Sequence, residues 1–127
     1  MAARMFAVAL AGLAGAVSAP IHSAFAEELT QSEIRDELVG RQIVWWQSDG
    51  WQSGRLTLGA NGAAELSVDR PAHQVDTGRW AVRGEELCTQ WTTLRSGAEK
   101  CYRIERGTDG RFLTSGGNVF EVREAGV

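Results

Sequence analysis

The chain has 127 residues, 43% of them hydrophobic, and sets 13 Lys and Arg against 16 Asp and Glu for a formal net charge of −3. Mild acidity with interspersed signs offers no basic face for a phosphate backbone or an anionic bilayer, which argues against nucleic acid and lipid surfaces as partners. The length suits one domain with one core, small enough that a covalent cross-link would help it.

The first residues read as an address. Arg4 is a short basic region, Met5 to Ile21 carries no charge, and Ala24-Phe25-Ala26 places small residues where signal peptidase accepts them. The expected organisation is a signal peptide over residues 1–26 and a single domain over 27–127, periplasmic or secreted. Gly12, Gly15 and Pro20 interrupt the apolar stretch and no stop-transfer charges follow, so stable membrane insertion is not expected after cleavage. Cys88 is the first cysteine, which excludes a lipid-anchored leader.

Residues 29–40, LTQSEIRDELVG, carry the signals of one short helix. Thr30 and Glu33 form an S/T-x-x-E capping box, Leu29 and Ile34 are spaced as a hydrophobic staple, Ile34 and Leu38 share a face, and Gly40 suits the left-handed C-terminal position. A helix of about nine residues is too short to stand alone in water and must pack on something.

After Gly40 the apolar period falls to two, and turn signals recur. QIVWWQS, RLTL, AELSV, GRWAV, ELCTQW, CYRIE, RFLT and NVFEV are eight candidate strands, separated by short turns such as Asp49-Gly50, Asn61-Gly62 and Arg83-Gly84. The expected fold is mainly β: a short N-terminal helix, then an antiparallel eight-stranded meander forming a small closed or nearly closed barrel. A β-sandwich is the alternative.

Cys88 and Cys101 are expected to form a disulfide. If they oppose each other across a hairpin, partner numbers sum to 189, which sets Leu87 against Tyr102 on one face and Glu86 against Arg103 on the other. Period two then sends Leu87, Thr89, Trp91, Tyr102 and Ile104 to the core and the cysteines to the outer face. An exported chain with two cysteines normally oxidises them, and closing this loop contributes about 3 kcal/mol in the chain-entropy account. A metal is not expected, because His73 is the only histidine after the leader and the ligand count fails.

His73 and Asp76 invite a general-base reading, but no nucleophile elbow or free thiol completes it. No cofactor motif is present: the Asp-Gly pairs lack the acidic alternation of a calcium loop, and the glycine-rich stretches lead into strands.

The tryptophans remain. Trp80 and Trp91 fall on faces expected to point inward. Trp45 and Trp46 are adjacent, so period two sends them to opposite faces; with Ile43 and Val44 both apolar, which one faces outward is left open. Trp51 lies in the turn SDGWQSG. Trp51, with whichever of Trp45 and Trp46 faces outward, is the expected ligand- or partner-binding surface. The competing reading has the helix covering the outer ring and Trp51 folding onto the rim.

Gly78-x-Trp80-x-Val82, Leu87-Cys88-x-x-Trp91 and Cys101-Tyr102, following a helix and Leu38-Val39-Gly40, resemble small secreted domains of alphaproteobacteria with a lipocalin-like meander. The resemblance spans about residues 38–122 and implies fold and compartment, not an activity. Gln42 stands where the lipocalin signature has a tryptophan, two residues after Gly40. The expected function is a non-catalytic binding or interaction module for a small molecule, glycan or periplasmic protein. An inhibitor or accessory subunit of a periplasmic complex is the alternative, and a small hydrolase is less favoured.

Overall fold

The computed structural model describes residues 27–123; the leader expected over 1–26, with its cleavage point after Ala26, lies outside them. Helix α1 runs Gln31–Leu38 and starts where its cap dictates. The Thr30 hydroxyl accepts the Glu33 amide N–H at 3.2 Å, and Glu33 accepts the Thr30 N–H at 2.9 Å. Together they satisfy two amides that an uncapped helix leaves without partners. Gly40 then takes φ +78 and donates its N–H to the Leu58 carbonyl at 2.8 Å, turning the chain into the sheet.

Nine strands follow: β1 Gln42–Gln47, β2 Ser53–Leu58, β3 Ala63–Arg70, β4 Gln74–Arg83, β5 Glu86–Trp91, β6 Lys100–Tyr102, β7 Ile104–Arg106, β8 Arg111–Thr114 and β9 Asn118–Arg123. They make one antiparallel sheet in the order β6-β5-β4-β3-β2-β1-β9-β8-β7, so the barrel reading holds and the sandwich falls. The count exceeds eight because the CYRIE run divides at Arg103. Its first half pairs with β5 and its second half with β8. The two edges of the sheet are thus one residue apart in sequence, and the barrel is nearly closed. Alternation survives the break: Tyr102 and Ile104 are buried and Arg103 is exposed.

Where β5 ends, the N-terminal segment takes over its role on β7. Leu29 donates to the Ile104 carbonyl at 2.7 Å, Arg106 donates its amide to the Glu27 carbonyl at 2.8 Å, and Glu28 bridges Glu105. Arg103 accordingly lies 3.4 Å from Glu28, not against Glu86 as the extended register implied. Its amide also donates to the Ser115 hydroxyl at 2.9 Å, joining the run to the β8–β9 turn.

The helix closes one end of the barrel. Leu29, Ile34 and Leu38 are wholly buried in one core with Ile43, Leu58, Leu87 and Ile104, so truncating Leu38 to Ala would cost about 2–5 kcal/mol. Arg35 lies 5.6 Å over the Trp80 ring, whose Nε1 donates to the Gly59 carbonyl at 2.7 Å. Arg106 draws Glu27, Glu33 and Glu37 together, which raises its own pKa, and fixes α1 to β7.

Two inward positions need glycine for a different reason, close approach. A Cβ on Gly54 would lie 1.8 Å from the Ser67 carbonyl oxygen, beside a register shift between β2 and β3. One on Gly78 would lie 2.1 Å from the Gln90 carbonyl oxygen. These contacts let the sheet coil tightly enough to close.

The cysteines are bonded, with Cα atoms 3.9 Å apart. Leu87 opposes Tyr102, Cys88 opposes Cys101 and Thr89 opposes Lys100, the register whose numbers sum to 189. Cys88 belongs to the outer face yet is buried, beneath its partner and beside Ala81.

Candidate functional site

The end opposite α1 is open. There the chain makes the β1–β2 and β3–β4 turns, the long β5–β6 connection and the β8–β9 turn, and between them lies a cavity of about 280 Å³. Its floor is aromatic because period two delivers Trp45, Trp91, Tyr102 and Phe120 to the inner face. Tyr102 and Phe120 meet edge to face at 6.4 Å. Its rim is polar: the amides of Gln47, Gln52, Gln74 and Asn118 and the cations Arg95 and Lys100 line it, and no carboxylate does.

Asp76 sets this rim. It sits on the inner face of β4, four residues before Trp80, and is 7% exposed. One carboxylate oxygen accepts the amides of Thr93 at 3.0 Å and Leu94 at 2.8 Å, and the other accepts that of Thr77 at 2.9 Å. These bonds, that of Leu94 foremost, hold its pKa below the usual carboxylate range against the opposing effect of burial. They anchor the turn Leu94–Gly97, in which Arg95 and Ser96 take left-handed φ of 56° and 54°. Non-glycine residues rarely adopt that conformation, so the anchor holds Arg95 over the mouth at some cost in local strain. The Thr92 hydroxyl adds a bond to the Thr77 carbonyl at 2.8 Å.

Trp45 is the inward member of the adjacent pair. It is buried on the cavity floor, and its Nε1 has no hydrogen-bond partner. Burial pushes the Tyr102 phenol up, with the Arg95 charge acting the other way, so near neutral pH the hydroxyl keeps its proton. At the β1–β2 turn, Gln47 and Gln52 bond side chain to side chain at 2.8 Å.

The expected tryptophan surface divides. Trp46 is outward and half-buried, with the Arg111 guanidinium 5.2 Å over its ring. Trp51 stands at the tip of the β1–β2 turn and is 58% exposed, and the two rings are not in contact. Trp80 and Trp91 are buried, as their positions implied.

His73 and Asp76 are not partners. His73 is exposed with its Nδ1 3.7 Å from Asp69, while Asp76 is engaged by backbone amides. Glu99 lies close to both cysteine sulfurs, but their oxidation leaves no thiolate to bind a metal.

A wider depression of about 570 Å³ lies on the outer wall of β4 and β5. Its floor is strand backbone with Ala81 and Cys88, and the Arg83–Glu99 pair at 2.6 Å occupies one side. It holds one cation without a carboxylate partner among the described residues, Arg79, but lacks the cluster of four rings that floors the mouth, and the mouth is the better site.

The sequence reading missed Asp76, Arg95 and Lys100 as site residues. A usable signal existed for Asp76: even spacing from Trp80 and Val82 places it on the core face, where a carboxylate needs partners. Lys100 was also within reach, since the register that sums to 189 sets it against the inward Thr89; no comparable signal marks Arg95, whose place depends on how the β5–β6 connection folds back. No family model, curated protein or solved structure matches the chain.

Proposed function

We propose that this protein is a non-catalytic binding module of the periplasm or the secreted fraction, and that the open barrel mouth holds a small molecule or glycan. One observation carries the reading: a barrel plugged at one end by α1 keeps an open cavity with an aromatic floor and polar rim at the other. Most small-molecule sites combine concavity, apolar walls and a few fixed polar groups in this way. The disulfide, in a chain that opens on a leader-like segment, supports the exported compartment.

The test is native mass spectrometry of the protein purified from the exported fraction of its own cells. The expected result is a folded species heavier than its polypeptide, whose extra mass departs on unfolding. A bare polypeptide, together with unchanged tryptophan fluorescence across a metabolite library, would overturn the reading.

A second reading, an inhibitor or accessory subunit, is favoured by Trp51, which projects at the tip of the β1–β2 turn. An exposed indole can anchor an interface. Under this reading a protein partner is retained by the wild type and lost by Trp51→Ala, with the cavity unaffected.

A further inference from the structure

We propose that the mouth selects a small organic carboxylate, with its apolar body on the aromatic floor and its anionic end at Arg95 and Lys100. The inference rests on the binding-module reading and adds the charge class of the ligand.

The distribution of ion pairs points to it. Six arginines, Arg55, Arg83, Arg103, Arg106, Arg111 and Arg123, each face a carboxylate within 4.0 Å. Arg95 and Lys100 have no such partner among the described residues; nor do Arg35, Arg70 and Arg79, but of these five only Arg95 and Lys100 share the aromatic-floored cavity. Both line one cavity, in which no acid faces them. Two cations facing a partly enclosed space focus a positive potential on it, and a carboxylate there gains charge-assisted hydrogen bonds that a neutral or cationic ligand does not.

The turn is also built to place one of the two. Arg95 adopts φ +56 immediately after Leu94, whose amide is held by the buried Asp76 carboxylate. With its backbone anchored in this way, Arg95 loses less chain freedom on binding than a residue on a free loop. Trp45, on the cavity floor, carries a buried Nε1 donor without an acceptor among the described residues. The volume, about 280 Å³, equals that of roughly nine waters and suits a single-ring carboxylate rather than a lipid.

The experiment compares phenylpropionate, its primary amide and phenylpropylamine, which share one body and differ in charge. Binding is read by calorimetry and by the fluorescence of Trp45 and Trp91, in the full folded protein. Phenylpropionate is expected to bind tightest and the amine weakest. Arg95→Gln and Lys100→Gln should each weaken phenylpropionate about fivefold and leave the amide unchanged. Arg79→Gln, at an exposed cation on the outer wall, should change neither, and thermal melts confirm that each variant is folded.

Equal binding of the three compounds, or equal losses in the Arg79 variant, overturns the anion proposal while the binding-module reading stands. Failure of all three to bind also overturns it, and the binding-module reading is then decided separately by the native mass measurement.

Discussion

The Asp76 carboxylate accepts the Leu94 amide at 2.8 Å, and through that bond a residue on the barrel wall fixes the loop that carries Arg95 over the mouth. A buried anion and an exposed cation, 19 positions apart, are thereby parts of one arrangement: backbone amides satisfy the first, and the turn they hold positions the second.

This arrangement has a pH dependence of known sign. The folded pKa of Asp76 lies below its ordinary value of 3.8, so its contribution to stability is fully present above that value. It is lost as the pH falls through the lower, folded pKa. Asp76→Asn should cost about 2 kcal/mol at neutral pH and flatten the acid limb of the stability curve, measured by urea denaturation across the acid range. An unchanged acid limb in the variant would assign acid sensitivity to other carboxylates.

Replacing Cys88 and Cys101 together by Ala should lower stability by about 3 kcal/mol and Tm by roughly 10 °C or more, with the far-ultraviolet circular dichroism retained. The bond closes a separation of 13 residues across β5 and β6, the side on which the barrel is joined only through a three-residue strand. Thiol alkylation of the denatured, unreduced wild type should label neither cysteine.

Arg106→Gln should release the N-terminal end of the fold rather than unfold the barrel. The guanidinium holds Glu27, Glu33 and Glu37 at once, but it is over a third exposed and solvent screens it. Tm is expected to fall by only a few degrees, with the loss narrowing at high salt. Amide exchange should rise in α1 and at Leu29 while β2 to β5 keep their protection.

Gly54→Val should prevent folding or cost upwards of about 3 kcal/mol, because even the first carbon of the new side chain lies 1.8 Å from a backbone oxygen that the β2–β3 ladder holds in place. Expression yield and the urea midpoint read this directly, and normal stability would mean that the two strands can separate without penalty.

Trp51→Ala should leave stability within about 0.5 kcal/mol of the wild type, since the side chain is 58% exposed. A large fall in the urea midpoint would show that the ring packs against the rim in solution.

Short-range rules in the sequence determined the helix start at Thr30 and Glu33, the turn at Gly40, the strand runs, and the Leu87–Tyr102 and Cys88–Cys101 register. Each depends on residues within one turn or one hairpin, where capping and alternation act without reference to the rest of the chain. Alternation also divided Trp45 from Trp46 but carried no sign, because Val44 and Ile43 are apolar on both faces. Only tertiary structure decided that β1 lies between β2 and β9, which puts Trp45 opposite Phe120 inside the barrel and leaves Trp46 outside under Arg111. The split of the sixth predicted strand, CYRIE, at Arg103 was likewise a closure effect. One edge of the run must meet β5 and the other β8, and the N-terminal segment fills the side that β5 leaves bare. The mouth follows the same logic: its rings come from strands far apart in sequence, Arg95 from a loop folded back by Asp76, and Lys100 from the first residue of β6. Contacts of that range exist only once the sheet has curled, so no local pattern announces them.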